Sequence, residues 1–334
     1  MLSFIDSLKN PQAYPHRTGE IILRQTHISY VLLAGSYVYK IKKPVDFGFL
    51  DFTTLAKRKY YCEEELRLNR RLCPDIYLEV VPIRQSGKSF KMGGESGRTI
   101  EYAVKMHRMP EERMMNNLIA SGKLTTEMLE LIVEILVPFY REAATGPEIT
   151  AAGSPEAVAG NFRQNFRQTE GYIGCPALGR EQFETIRAYA EKFIAGESLF
   201  RLRQESGFIR DGHGDLHSAN ICLADKVHIF DCIEFNPGLR YCDVAGDIAF
   251  LAMDLDYHNL PEMAAAFVEN FALKSEDPNL YDVLNFYKCY RACVRGKIGL
   301  FTAHAPEIDA ATRAAGMARA GRYFQLAERY VGAS

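Results

Sequence analysis

Apolar and polar residues alternate through the first third of the chain. The stretches "GEIILRQ", "SYVLLA", "YVYKIKK", "YLEVVPI" and "TIEYAVKM", between residues 19 and 109, each read as strands. The turn "AGS" at 34–36 makes a hairpin of the second and third. One helix interrupts them, "TTLAKRKYYCEEELRLNRRL" at 53–72, stopping before Cys73-Pro74. Residues 85–98, "QSGKSFKMGGESGR", read as a flexible hairpin loop. Beyond Pro110 the period changes to three and four, which predicts helices over 124–144, 155–171, 180–204, 247–256, 261–274, 279–301 and 307–330. Two short strands, "NICLA" and "KVHIFDC", break that run. The pattern predicts an α+β chain. A small antiparallel-sheet lobe with one helix (1–109) precedes a larger, mostly helical lobe (110–334), and the expected ligand site is a cleft between them.

Composition narrows the class without choosing within it. The 334 residues are 47% hydrophobic and 25% charged, with a formal net charge of −2. That balance offers no general field for nucleic acid or an anionic membrane. The longest apolar run, "MLELIVEILVPFY", is broken by Glu130 and Glu134 and is too short to span a bilayer. Eight cysteines (62, 73, 175, 222, 232, 242, 289 and 293) are scattered without metal-like spacing, and the first residues lack a signal-peptide pattern. A reduced, cytoplasmic setting is expected. The oligomeric state is not legible.

The chemistry is concentrated in residues 211–234, "DGHGDLHSANICLADKVHIFDCIE". Asp215 precedes Asn220 by five residues, and Asp231 follows eleven residues later at the end of "VHIF". A hairpin through "LADK" brings Asn220 and Asp231 to one edge, as an amide oxygen and a carboxylate. Magnesium takes a few such hard ligands and leaves the rest of its shell to phosphates and water. Asp215 lies on the same loop, placed to orient a hydroxyl nucleophile. With an ordinary pKa of about 3.9 it aligns the alcohol and accepts its proton late. Two alternatives stand beside phosphoryl transfer. One is a metallohydrolase using His213, Asp215 and His217 as an H-x-D-x-H site. The other is a nucleotide-binding regulatory module with little turnover.

The segments "HGDLHSANI" and "IFDCIEFNPGLRYCDVAGDIAFLAMDL" closely resemble the catalytic region of the aminoglycoside phosphotransferase and choline kinase-like enzymes. Those families share the protein kinase-like two-lobe architecture. "VLLAGSYVYKIKKPVDFGFLDFTTLAKRKYYCEEELRLNRRL" is similar to a subgroup in which many members carry a second, P-loop kinase-like domain; no G-x-x-x-x-G-K-[ST] occurs here. The resemblance implies Asp215 as catalytic base, Asn220 and Asp231 as Mg2+ ligands, and ATP or GTP as co-substrate. It further implies that Asp243 or Asp247 braces the catalytic loop. For Asp243, helix N-capping is the simpler role.

Such a cleft also needs a cation on the phosphates and an acid to hold it. "YVYKIKKP" offers Lys40, with Lys42 in reserve, on one strand face and Tyr39 and Ile41 on the other. Of Glu63, Glu64 and Glu65, the last shares a helix face with Leu68 and Leu72 and is the expected partner. Thr26 and Ser29, with His27, are placed to cap phosphates; main-chain groups near His107 and Met109 would read the purine edge. The "DFG" at 46–48 precedes the catalytic loop, the wrong order for a magnesium aspartate. On the acceptor side, Lys288, Arg291 and Arg295 share a helical face, which predicts a small-molecule acceptor that is acidic or phosphorylated.

Overall fold

The computed structural model describes residues 2–48, 50–305 and 308–332. Its strands are β1 (Ile21–Gln25), β2 (Ser29–Ala34), β3 (Tyr37–Lys42), β4 (Tyr77–Ser86), β5 (Ser89–Met92) and β6 (Arg98–His107). The short β7 (Ile209–Asp211), β8 (Ile221–Leu223), β9 (Val227–Ile229) and β10 (Tyr241–Asp243) follow. The helices are α1 (Leu2–Ser7), α2 (Leu55–Asn69), α3 (Met115–Ala120), α4 (Thr126–Glu142), α5 (Pro147–Ala151), α6 (Pro155–Thr169) and α7 (Arg180–Ile194). Then come α8 (Glu197–Glu205), α9 (Pro237–Arg240), α10 (Val244–Tyr257), α11 (Pro261–Ser275), α12 (Leu280–Ala303) and α13 (Ala310–Gly332). The predicted start of the last helix, at residue 307, lies outside the described residues.

The chain divides into two compact units, one of residues 1–120 with 219–237, the other of 121–218 with 238–334. Segment 219–237 therefore packs with the sheet, whereas the sequence pattern groups it with the helices.

In the first unit six strands form one antiparallel sheet in the order β1-β2-β3-β6-β4-β5. Strand β3 is central and its two faces have different work. Tyr39 and Ile41, each 1% exposed, enter a core with Leu8, Tyr14, Leu32, Ile83 and Ala103. Burying each such side chain is worth roughly 1.5–3 kcal/mol. On the other face a second core gathers Cys62 of α2, Tyr77 of β4, and Val104 and Met106 of β6, with Val38 of β3 packed against it. Thr54 caps α2 by accepting from Lys57 N at 3.2 Å. The predicted loop 85–98 is in large part a hairpin: β4 runs on to Ser86 and pairs with β5 through Ser86–Ser89.

In the second unit α10 is buried along nearly its whole length, as its apolar circumference requires. It packs against α11 and α12, and α13 lies along α12. The helix expected over 180–204 is two helices, because the chain leaves helical geometry at Gly196. Among the described residues no helix is long and apolar enough to cross a membrane, and no disulfide forms.

Candidate active site

In the sheet unit, register places the lysines. Lys40 lies opposite Val31 of β2 and Val104 of β6, and Lys42 opposite Ser29. Both point toward α2, where Glu65 is wholly buried. Lys40 Nζ is 2.8 Å from Glu65 Oε1 and 2.6 Å from Asp231 Oδ1. Lys42 Nζ donates to Glu65 Oε2 at 2.8 Å and also to Glu234. Glu65 thus bridges two lysines, and both of the lysines considered from the sequence belong to one cluster. Glu63 and Glu64 pair instead with Lys59 and Arg67 on the surface of α2.

Two cations here face three carboxylates, and the titration of each group follows from that imbalance. Burial by itself would lower Lys40, but Asp231, Glu65 and Glu234 raise it well above its ordinary value. Burial would raise Glu65, but Lys40 and Lys42 bring it down to about 2. Glu234 is left above the carboxylate norm, by burial first, with Lys42 only partly opposing and Glu65 adding repulsion. Glu234 had no assigned role from sequence. Its signal was an acid three residues past Asp231 in an otherwise apolar run.

The β8–β9 hairpin pairs Ile221 with Ile229, and Phe230 N donates to Asn220 O at 3.0 Å. Asn220 and Asp231 therefore sit at the same end of the hairpin, as their spacing predicts. Asp231 has φ 61°, a left-handed backbone that a non-glycine residue adopts at a cost. Its neighbours hold it there: Cys232 N donates to Asn69 Oδ1 at 2.9 Å and Asp231 N to the Tyr77 hydroxyl at 3.4 Å. The Asp231 side chain is 44% exposed, whereas Glu65 is sealed. An asparagine and a reachable aspartate at one end of a hairpin suit Mg2+ in donor type.

In the helical unit the loop 213–218 is fixed at both ends by α10. Asp247 accepts from His213 N at 2.7 Å, Gly214 N at 3.0 Å and the Tyr140 hydroxyl at 3.0 Å. Asp254 accepts from Ser218 N at 2.9 Å and from its hydroxyl. Seven residues are two helical turns, so both carboxylates face the loop. Gly212 permits this approach, since a Cβ there would meet Asp247 Oδ2 at 2.6 Å. Asp247 is thus the brace, and Asp243 is the cap, accepting from Ala245 N at 2.9 Å and pairing with Arg203 at 2.6 Å. Sequence reasoning missed Asp254. Its signal was a second acid in an apolar helix, in register with the first.

Asp215 is about one-third exposed, with its side chain 3.3 Å from His217 Nε2. Burial would push its carboxyl up, but His217, then Arg295 and His213, hold it below the usual range. His213 is turned inward, its Nδ1 accepting from Asp215 N at 3.2 Å. Among the described residues no three His, Cys, Asp or Glu side chains are grouped to hold a metal.

The basic row on α12 needs a correction. Arg291 is 7% exposed and donates to Gly246 O at 3.0 Å, Gly214 O at 3.0 Å and Asp247 at 3.2 Å. It ties the loop to α10, with its guanidinium committed to these three acceptors. Lys288 pairs with Asp256 at 2.9 Å. Only Arg295, 3.3 Å from His217 Nε2, borders Asp215's surroundings.

The nucleotide-side expectations are mixed. Thr26 Oγ1 accepts from Ser29 N at 2.9 Å and closes its own turn. Ser29, the first residue of β2 and opposite Lys42, is fully buried, so its hydroxyl is not open to a phosphate. His107 N is taken by Ile76 O at 2.9 Å, and its ring stacks on Tyr37 at 5.3 Å. Met109 packs against the second core. The "DFG" triplet is an exposed turn in which Gly48 N donates to Asp46 at 2.8 Å.

Comparison with known proteins bears on the fold. No family model matches the chain. Uncharacterized proteins of Mycobacterium tuberculosis and Mycobacterium bovis are 32% identical over 280 residues, covering 83% of this chain. The chain spans only 54% of those relatives' length. Among solved structures it resembles a choline/ethanolamine kinase family protein from Mesorhizobium loti, at TM-score 0.56 and 12% identity over 100% of both chains. It also resembles an aminoglycoside phosphotransferase in complex with GDP and kanamycin, at TM-score 0.56 and 14% identity, covering 96% of this chain and 97% of that one. A third is the amicoumacin kinase hAmiN with AMP-PNP, Ca2+ and its antibiotic, at TM-score 0.54 and 12% identity over 96% and 89%. These are the families to which the 211–250 segment pointed, and the fold is the kinase-like α+β fold they share.

Proposed function

From a fold shared with choline and aminoglycoside kinases, we propose that the chain is a Mg2+-dependent phosphotransferase. It moves the terminal phosphoryl group of ATP or GTP to a hydroxyl of a small molecule. The observation that carries this is the Lys40–Glu65–Asp231 chain, in which a buried helix acid holds a lysine beside an accessible carboxylate on strained backbone. Lys40 takes the phosphate charge. Glu65 orients it, and Lys42 with Glu234 fixes Glu65 from its second oxygen. Asn220 and Asp231 would hold Mg2+. When bound, the ion neutralises charge on the phosphates and sets their geometry.

Asp215 aligns the acceptor hydroxyl. Because its carboxyl lies below the usual range, it takes the proton late, as the oxygen becomes acidic on bonding to phosphorus. Asp247, Asp254 and Arg291 act as positioning residues for its loop. The Thr26 turn would cover the phosphates, and the Met109 main chain would meet the purine edge, because the His107 and Arg108 amides are already bonded. Eight thiols without a disulfide accord with a cytoplasmic setting.

The test is thermal shift with ATP and GTP, each with and without Mg2+, on wild type and Asp231→Asn. A magnesium-dependent rise that the variant loses supports the assignment. A rise that ignores magnesium, or no rise with either nucleotide, removes it.

A further inference from the structure

Beside Asp215 the helical unit gathers cations with few partners. Arg295 on α12 lies 3.3 Å from His217 Nε2, and His217 is itself 3.3 Å from Asp215. The Arg295 guanidinium stands over the Tyr323 ring at 5.7 Å. Tyr323 on α13 stacks on Tyr257 at 3.9 Å, with the ring planes 13° apart. Arg322, exposed on α13, lies over the Tyr257 ring at 4.5 Å. Arg319, also exposed, is one turn earlier at the spacing that shares its face. Burial pushes the Tyr257 hydroxyl up, while the charges of Arg322, Arg319 and Arg295 oppose it.

The nearby acids do not cancel them. Asp256 is taken by Lys288 and Tyr330, and Asp254 by Ser218. Arg295 faces Asp215 and Asp254 electrostatically, but among the described residues no carboxylate lies within ion-pair distance of Arg319 or Arg322. Elsewhere in this unit the exposed Arg163, Arg187 and Arg201 pair with Glu191, Glu184 and Glu197, whereas Arg167, Arg180 and Arg329 do not pair with an acid among the described residues. Guanidinium groups left together over aromatic rings form a fork-shaped donor set for a planar or tetrahedral oxyanion.

We propose that Arg295, Arg319 and Arg322, around Tyr257 and Tyr323, bind an anionic group of the acceptor, a phosphate monoester or carboxylate on a hydroxylated small molecule. The role as acceptor rests on the phosphotransferase assignment; the anion site itself does not. The same charges repel a polycationic acceptor, so an amine-rich antibiotic is excluded as the preferred substrate.

Calorimetric titration with glycerol 3-phosphate, glycerate and glycerol tests this on wild type and on the Arg319→Gln/Arg322→Gln double variant, whose exposed positions leave folding intact. Wild type is expected to bind glycerol 3-phosphate and not glycerol, with about tenfold or greater weakening in the double variant. Glycerate binding as well would mean that charge alone is read; its failure to bind would select the phosphate monoester. Equal binding of all three probes, no binding of either anion, or unchanged affinity in the double variant would overturn the proposal. Anion binding without phosphoryl transfer from Mg-ATP would remove the enzyme assignment and keep the site. Transfer to neutral hydroxyls that the double variant leaves unchanged would do the reverse.

Discussion

The charge cluster around Lys40 and the one around Arg291 are both buried, but they are balanced differently. In the sheet unit two lysines face three carboxylates, one of them 44% exposed and carried on left-handed backbone. In the helical unit Asp247 is met by one guanidinium, one hydroxyl and two main-chain amides, and Arg291 by two carbonyls and that carboxylate. The second cluster has each group matched to its neighbours, so it holds a shape. The first has surplus negative charge and one open member, so it is suited to receive a cation. Charge balance, more than burial, distinguishes the two clusters.

The contrast can be tested, beginning with the group that the helical cluster positions. Asp215→Asn should reduce kcat by roughly two to four orders of magnitude, the scale of general-base loss. Nucleotide-induced thermal shift should persist, and steady-state kinetics beside that shift separates the two effects. Arg291→Ala removes the guanidinium that Asp247, Gly246 O and Gly214 O share. A loss of about 3–5 kcal/mol is expected, seen as a fall in Tm on the order of 10 °C.

The sheet cluster should show itself in pH dependence. Glu65 is lowered from 4.5 to about 2 on folding, so its contribution to stability is present above about pH 4.5 and lost as pH falls toward 2. Glu234 has the opposite sign. Its folded value is raised, so its contribution is complete below 4.5 and fades as pH rises through that folded value. Urea midpoints measured from pH 2 to 7 should lose the rise between about pH 2 and 4.5 in Glu65→Gln, and lose the decline that begins above about pH 4.5 in Glu234→Gln. The smallest stability effect is expected for Asp231→Asn. Its half-exposed side chain should change apo stability by no more than about 1 kcal/mol while abolishing the magnesium-dependent shift.

Much of the site could be read from short-range spacing. Asn220 and Asp231 flank one short hairpin, and a hairpin of that length leaves few arrangements for its ends. The alternation that defines β3 put both lysines on one face, and it also put Tyr39 and Ile41 in the opposite core. Helix phase selected Glu65 among three adjacent acids, because only its face carries Leu68 and Leu72. Where expectations failed, the missing information was a partner distant in the chain. Arg291 reads as a substrate residue on its own helix, until Gly214, Gly246 and Asp247 enclose it. Ser29 reads as a loop hydroxyl until β2 buries it opposite Lys42.

The sequence by itself determined the fold class, the sheet-then-helix order and the residues of the 215–231 segment, because period and loop length act over a few residues. Only the tertiary structure decided that Glu65 serves two lysines, that Glu234 completes their cluster and that Asp254 ties down the loop. Each of those depends on residues 23 to 192 positions apart, or on different helices, meeting where water is excluded. There a charge is held by whichever partner the packing supplies.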